Sequence, residues 1–365
     1  MKTRLTELLK IDAPIIQAPM AGVSTPALAA AVCNAGALGS IGAGAVGGEG
    51  ARAMMRSVQE RTNRPYHVNF FAHETPVRDA GREAVWLERL SPFFNDLGAP
   101  VPGELNESYR SFLDDPEQLE AVLALQPPVV SFHFGLPHRD QIEQMRAYGA
   151  ALLASATSVE EALRCEAAGM DAVIAQGFEA GGHRGVHGGA PDREIGLFAL
   201  LPQVADAVSI PVIAAGGVAD GRGIAAALAL GADGVQMGTA FVACPETSAG
   251  ARHRALLGSA AARDTVVTQA VSGKPARGFR NTLIDAMAEG QSDAPAYPVA
   301  YDAAKALVAA AQNAGRDDFE VMWAGQAAAL AKATPAADLT LALMRGAEAR
   351  LAAMNNQYAS IEKAG

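Results

Sequence analysis

The sequence predicts an α/β protein built as a (β/α)8 TIM barrel, and three observations carry that expectation. Eight short apolar runs recur along the chain, most followed by glycine or polar residues and then by an alanine-rich stretch with helical spacing. Strands alternating with helices pair in parallel through crossovers, and eight such units close into a barrel. The composition agrees: 37 glycines with only 5% aromatics is the balance expected where small residues let helices pack on a sheet and let backbone approach a ligand. The length of 365 residues is that of one barrel carrying insertions.

In chain order, the strand candidates are 14–18 (PIIQA), 37–41 (ALGSI), 67–71 (HVNFF), 128–133 (PVVSFH), 151–155 (ALLAS), 172–176 (AVIAQ), 211–215 (PVIAA) and 234–238 (GVQMG). The first two lie in an uncharged stretch, 13–48, long enough on paper to span a membrane, yet Pro14, Pro19, Pro26 and scattered glycines leave no continuous apolar helix. Ser158 is placed to cap a helix ending at Gly169, and Asp220 opens one ending at Gly231. Two stretches exceed what a crossover needs. Residues 77–125 and 246–312 carry no strong strand pattern and follow the carboxyl ends of strands, so they are expected over the barrel mouth. The larger is read as a helical lid or substrate domain, with 1–245 and 313–365 forming the barrel. The helical stretch 326–357 would complete the outer ring.

A net charge of −10 and a pI near 5.2, without blocks of like charge, give little electrostatic support to nucleic-acid or anionic-membrane binding. Cys33, Cys165 and Cys244 are far apart and lack CxxC spacing, which suits small core residues in a reducing compartment. The N-terminus lacks a signal-peptide pattern, so a cytoplasmic location is expected. Monomer and homodimer are both compatible with the sequence.

In a barrel of this kind, polar residues at carboxyl ends of strands are functional candidates. Asn69, His133, Gln176 and Gln236 all occupy such ends. In SFHFG, alternation puts Ser131 and His133 on one face and Phe132 and Phe134 on the other. The runs AAGGVADGRG and GVQMGTAF place Gly216, Gly217, Gly238 and Thr239 in tandem turns after the seventh and eighth strands, where backbone N–H groups can hold a phosphate without a lysine. Gly181 and Gly182 in QGFEAGGHRG permit close backbone approach, and Gln176 can meet the carbonyl edge or a ring nitrogen of a flat heterocycle. His183 reads equally as ligand group or loop cap. Met20, Ala21 and Gly22 offer a soft, small surface to one face of a ring. Tyr297, Tyr301 and Lys305, spaced i, i+4 and i+8, would share one helix face.

QAPMAGVSTP, NAGALGSIGAG, VNFF, SFHFG, GFEAGGHRG, AAGGVADGRG and QMGTAF together resemble the class I nitronate monooxygenases, formerly called 2-nitropropane dioxygenases. The resemblance implies non-covalent FMN and oxidation of alkyl nitronates by O2. Carried over, Asn69, Gln176, Gly181, Gly182, Gly216, Gly217 and the run Gln236, Met237, Gly238, Thr239 would bind the flavin and its phosphate. Met20 to Gly22 would lie beside the ring, and Gln326 in MWAGQ near the cofactor. Tyr109, Tyr297, Tyr301 and Lys305 would line the substrate pocket, with Lys305 meeting the carboxylate of a substrate such as propionate 3-nitronate. His133 would be catalytic, donating to the nitronate oxygens or acting as base on neutral nitroalkanes. Products would be a carbonyl compound with nitrite or nitrate. The competing readings are an FMN-dependent NAD(P)H reductase of quinones or enoyl thioesters, and a flavin-binding barrel without turnover. A metallohydrolase has little support, since no HExxH occurs.

Overall fold

The computed structural model describes residues 1–362, the last five of these by backbone alone. Eight parallel strands form the central sheet: β1 (Ile15–Gln17), β2 (Ser40–Gly42), β3 (His67–Phe71), β4 (Val129–His133), β5 (Ala151–Ala156), β6 (Ala172–Gln176), β8 (Val212–Ala215) and β9 (Gly234–Met237), with the two-residue β7 (Gly182–His183) falling outside it. The order is β1-β9-β8-β6-β5-β4-β3-β2, and a bridge between Ile16 and Leu38 closes the ring between its two ends. Every strand anticipated from the sequence is present.

Helices pack outside this ring for the reasons their sequences suggest. Ser158 Oγ accepts from the Glu161 N–H at 3.2 Å, Asp220 accepts from the Arg222 and Gly223 N–H groups, and Gly169 and Gly231 leave their helices at φ +87° and +100°. The main core lies between helices and the outer sheet face, with Phe70, Phe132, Val204 and Ile224 among its buried members. A second cluster fills the barrel floor. There Leu5 and Leu9 of the helix Arg4–Leu9 meet Ile16, Leu153 and Ile213, so the amino-terminal end of the barrel is plugged. The helix Ala336–Glu362 packs against the helices Gly221–Ala229 and Pro26–Asn34, completing the outer ring.

The insertions differ from the sequence expectation in two ways. Within 77–125, only the first part leaves the barrel: the helix Pro116–Leu125 packs on the helix Gly47–Gln59 and buries Ala121 and Val122 in the main core. Nor is the larger insertion wholly helical. It contains β10 (Thr265–Thr268) and β11 (Ala276–Phe279), antiparallel to each other, and β11 pairs with β7 through Ala276–His183 and Arg277–Gly182. A separate apolar cluster joins Trp86, Leu90 and Phe94 of the helix Ala80–Asp96 to Leu283, Leu307 and Phe319, making one lid of both insertions. Phe319 belongs to that cluster although it lies beyond residue 312. No helix among the described residues is long and apolar enough to cross a membrane.

Candidate active site at the barrel mouth

A cavity of about 550 Å3 lies between the carboxyl ends of the strands and the lid. From the barrel side it is lined by Met20, Ala21 and Gly22 after β1, Asn69 in β3, His133 at the end of β4 and Gln176 at the end of β6. Gly181 and Gly182 follow β6, Gly216 and Gly217 follow β8, and Gln236, Gly238 and Thr239 come from β9 and its turn. Met237 points the other way and is buried in the main core, as strand alternation from Gln236 requires. Gln326 is exposed and does not line the cavity. Its backbone N–H donates to the Glu179 carbonyl at 2.9 Å, while its neighbours Trp323, Gly325 and Ala327 face inward.

The glycine turns leave donors free. Among the described residues nothing accepts from the backbone N–H groups of Gly216, Gly217, Gly238 or Thr239. Gly216 and Gly217 have φ of +105° and +69°, a conformation in which a side chain is strained. The Thr239 hydroxyl accepts from the Gly325 N–H at 3.0 Å, tying that segment to the turn. Gly181 makes the same docking possible, because a Cβ there would lie 2.5 Å from the Gly325 nitrogen.

The polar side chains are held unequally. Asn69 Nδ2 donates to Ser131 Oγ at 2.8 Å. Gln176 Nε2 donates to the His183 carbonyl at 3.0 Å, and its Oε1 accepts from Arg184 and from the Gly185 N–H. Gln236 Oε1, by contrast, is buried without a hydrogen-bond partner.

His133 touches Ser155 Oγ through Nδ1 at 2.6 Å and the His183 carbonyl through Nε2 at 3.2 Å. A carbonyl only accepts, so Nε2 carries the proton and Nδ1 receives the Ser155 hydroxyl. Burial pushes the imidazole down to about 4, helped by the positive charges of Lys274 and Arg184. The residue is therefore a neutral N–H donor near pH 7. Ser131 shares its face of β4 as expected, but Phe134 does not join Phe132. At φ +77° its ring swings to the lid side, 4.5 Å from the His133 ring and 4.9 Å from that of Tyr297.

The lid supplies Tyr109 from one insertion and Tyr297, Tyr301 and Lys305 from the other. The helix there is Val299–Asn313, so Tyr297 precedes it rather than sharing its face, and reaches the cavity from the turn at Pro298. The Tyr109 and Tyr301 rings lie 5.5 Å apart, and Lys305 Nζ sits 4.0 Å from the Tyr109 ring centre. Lys305 is the one lysine or arginine lining the cavity among the described residues, and burial lowers its pKa. His183 lines the cavity too, with its ring nitrogen on Ser272 Oγ at 2.8 Å, so it both faces the site and fixes the loop.

Ser155, His253 and Trp323 also line the cavity and were not anticipated. Ser155 was legible, as a hydroxyl near the end of the fifth strand; His253 and Trp323 sit in segments without periodicity.

A closed α/β barrel with a deep, lidded and polar pocket at the carboxyl ends of its strands has the architecture of a barrel enzyme. The sequence model of nitronate monooxygenase matches residues 2–346. A nitronate monooxygenase from Paraburkholderia phytofirmans is 53% identical over 94% of each chain. One from Pseudomonas aeruginosa is 53% identical over 94% of this chain and 99% of that one. The crystal structure of nitroalkane oxidase from Streptomyces ansochromogenes superposes with a TM-score of 0.86 at 40% identity, covering 96% of this chain and 99% of the other. FabK from Thermotoga maritima superposes with a TM-score of 0.75 at 31% identity, over 98% and 99%. The chain belongs to the nitronate monooxygenase family, and it is an enzyme of that family.

Proposed function

We propose that the protein is an FMN-dependent monooxygenase that oxidises alkyl nitronates with O2, with propionate 3-nitronate as a favoured substrate. The observation that carries this reading is the division of the cavity. One side offers an orphaned acceptor, Gln236 Oε1, and unengaged N–H groups at the turns of Gly216–Gly217 and Gly238–Thr239, which fit a flat heterocycle with a phosphate tail. The other side offers tyrosines and one unpaired cation, which fit a small anion.

FMN bound on the barrel side supplies the electron transfer between nitronate and O2. Gly216, Gly217, Gly238 and Thr239 would hold its phosphate by backbone N–H groups; Asn69, Gln176 and Gln236 would meet its ring or side chain. Gly181 and Gly182 would let backbone pass close by, and Met20, Ala21 and Gly22 would cover one ring face.

A nitronate is already a carbanion equivalent, so no difficult proton need be removed. His133 would orient it by turning its Nε2–H from the His183 carbonyl, which it meets at 3.2 Å, to the nitro oxygens, where the negative charge resides. Lys305 pairs with a carboxylate at the far end of the substrate, and Tyr109, Tyr297 and Tyr301 hydrogen-bond either group and exclude water. The carbonyl product leaves with nitrite or nitrate.

The test is the visible spectrum of the purified protein together with oxygen uptake on propionate 3-nitronate, ethyl nitronate and NADH. A flavin spectrum with rapid uptake on the nitronates is expected. Rapid uptake on NADH alone, or bleaching by anaerobic NADH, would instead assign the reductase reading that the likeness to FabK keeps in view.

A further inference from the structure

Behind Gln176, and outside the cavity lining, lies a guanidinium with no exposure to solvent. Arg184 Nε and Nη2 hold Asp192 at 2.7 and 3.3 Å. Its Nη1 donates to the Gly177 carbonyl at 2.7 Å, the Gln176 carbonyl at 3.3 Å and Gln176 Oε1 at 3.1 Å. A two-pronged ion pair removed from water fixes the plane of the guanidinium.

The consequence falls on the Gln176 amide. Oε1 accepts from Arg184 and, at 2.7 Å, from the Gly185 N–H, which uses both lone pairs of one carbonyl oxygen. Nε2 gives one proton to the His183 carbonyl at 3.0 Å and keeps a second. Turning the amide over would set its NH2 against two donors and its oxygen against the His183 carbonyl. Only one orientation satisfies the partners.

We infer that Arg184, locked by Asp192, is a positioning residue that fixes Gln176 as a hydrogen-bond donor toward the cofactor. The cofactor atom facing Gln176 is then a carbonyl oxygen or bare ring nitrogen, never a ring N–H. The acceptor role passes to Gln236, whose Oε1 is buried and free. An N–H aimed at a ring acceptor stabilises negative charge gained by the ring, so the pair makes the bound cofactor easier to reduce. This inference rests on the flavin reading above.

The test titrates FMN into the apoprotein and measures the dissociation constant, visible spectrum and reduction potential for the wild type, Arg184→Lys and Asp192→Asn. Arg184→Lys is expected to weaken FMN by about tenfold, the loss of one buried hydrogen bond to the ligand, to alter the absorption bands and to lower the potential. Asp192→Asn should move all three less and in the same direction. Wild-type values for all three in Arg184→Lys overturn the inference. Should that variant fail to fold, Gln176→Glu decides: its carboxylate keeps Arg184 and Gly185 satisfied but has no proton to donate, so undiminished FMN affinity overturns the inference. A wild-type apoprotein that binds no FMN overturns the flavin reading and this inference with it.

Discussion

The two walls of the cavity are built by different means. On the barrel wall each polar group stands in or near the end of a strand, Asn69 at the middle of β3 rather than at its end, and most are already engaged by the chain: Gln176 meets three partners and Asn69 bonds to Ser131. On the lid wall the groups come from two distant stretches, and they meet largely through rings. Tyr297 packs 5.0 Å from His73 and 5.5 Å from His183, and Lys305 rests over two tyrosines with no carboxylate within ion-pair distance among the described residues. A wall of pre-set hydrogen bonds suits a partner that never changes. One of aromatic faces and a single uncommitted cation suits a substrate that comes and goes.

The same difference explains what was legible in the sequence. Barrel groups follow a two-residue alternation that ends at a predictable place, so Asn69, His133, Gln176 and Gln236 were found by counting strands. Local geometry bent that rule once. Phe134 leaves the alternation because its φ is positive, whereas Met237 faces the core as the rule requires, its neighbour Gln236 facing the cavity. The lid offers no such count. β7 is two residues long and β11 reads ARGF, without apolar alternation, so the small antiparallel sheet left no pattern. Its position depends on contacts such as Trp86 and Phe94 with Leu307 and Phe319, far apart in sequence. In MWAGQ, Trp323 and Gly325 line the cavity and Gln326 does not, because outside a regular element nothing in the sequence indicates which side chain turns inward.

The largest test of the comparison removes a barrel-wall donor. His133→Asn should retain FMN yet lose at least about tenfold in nitronate turnover, the low end of what a positioned hydrogen-bonding or proton-transfer group contributes. Turnover equal to wild type would remove His133 from the mechanism and leave the lid to do the orienting.

A lid-wall change should be smaller and selective. Lys305→Met is expected to raise KM for propionate 3-nitronate by about tenfold, the loss of one hydrogen bond between charged groups. Ethyl nitronate, which has no carboxylate, should keep its KM within about twofold, the scale of a lost exposed charge. Equal loss on both substrates would mean that Lys305 shapes the pocket through its packing on Tyr109 rather than reading the substrate's charge.

The smallest effect expected concerns pH, and it separates a donor from a base. Burial holds His133 and His73 down to about 4, against an ordinary 6.5, so both stay neutral as pH falls from 8 to about 6.5. The unfolded chain protonates these imidazoles near 6.5, and the folded chain does so only near 4. Between those values the unfolded state binds more protons, so this contribution to stability is fully present above about pH 6.5 and is lost as pH falls toward about 4. Urea midpoints should therefore decline with acidification through that window, less steeply in His133→Asn. Over the same range kcat/KM for a nitronate should show no inflection near 6.5, because the histidine that donates from Nε2–H does not change charge there. An inflection at that pH that disappears in His133→Asn would show an imidazole titrating in the free enzyme, and would return His133 to the role of base.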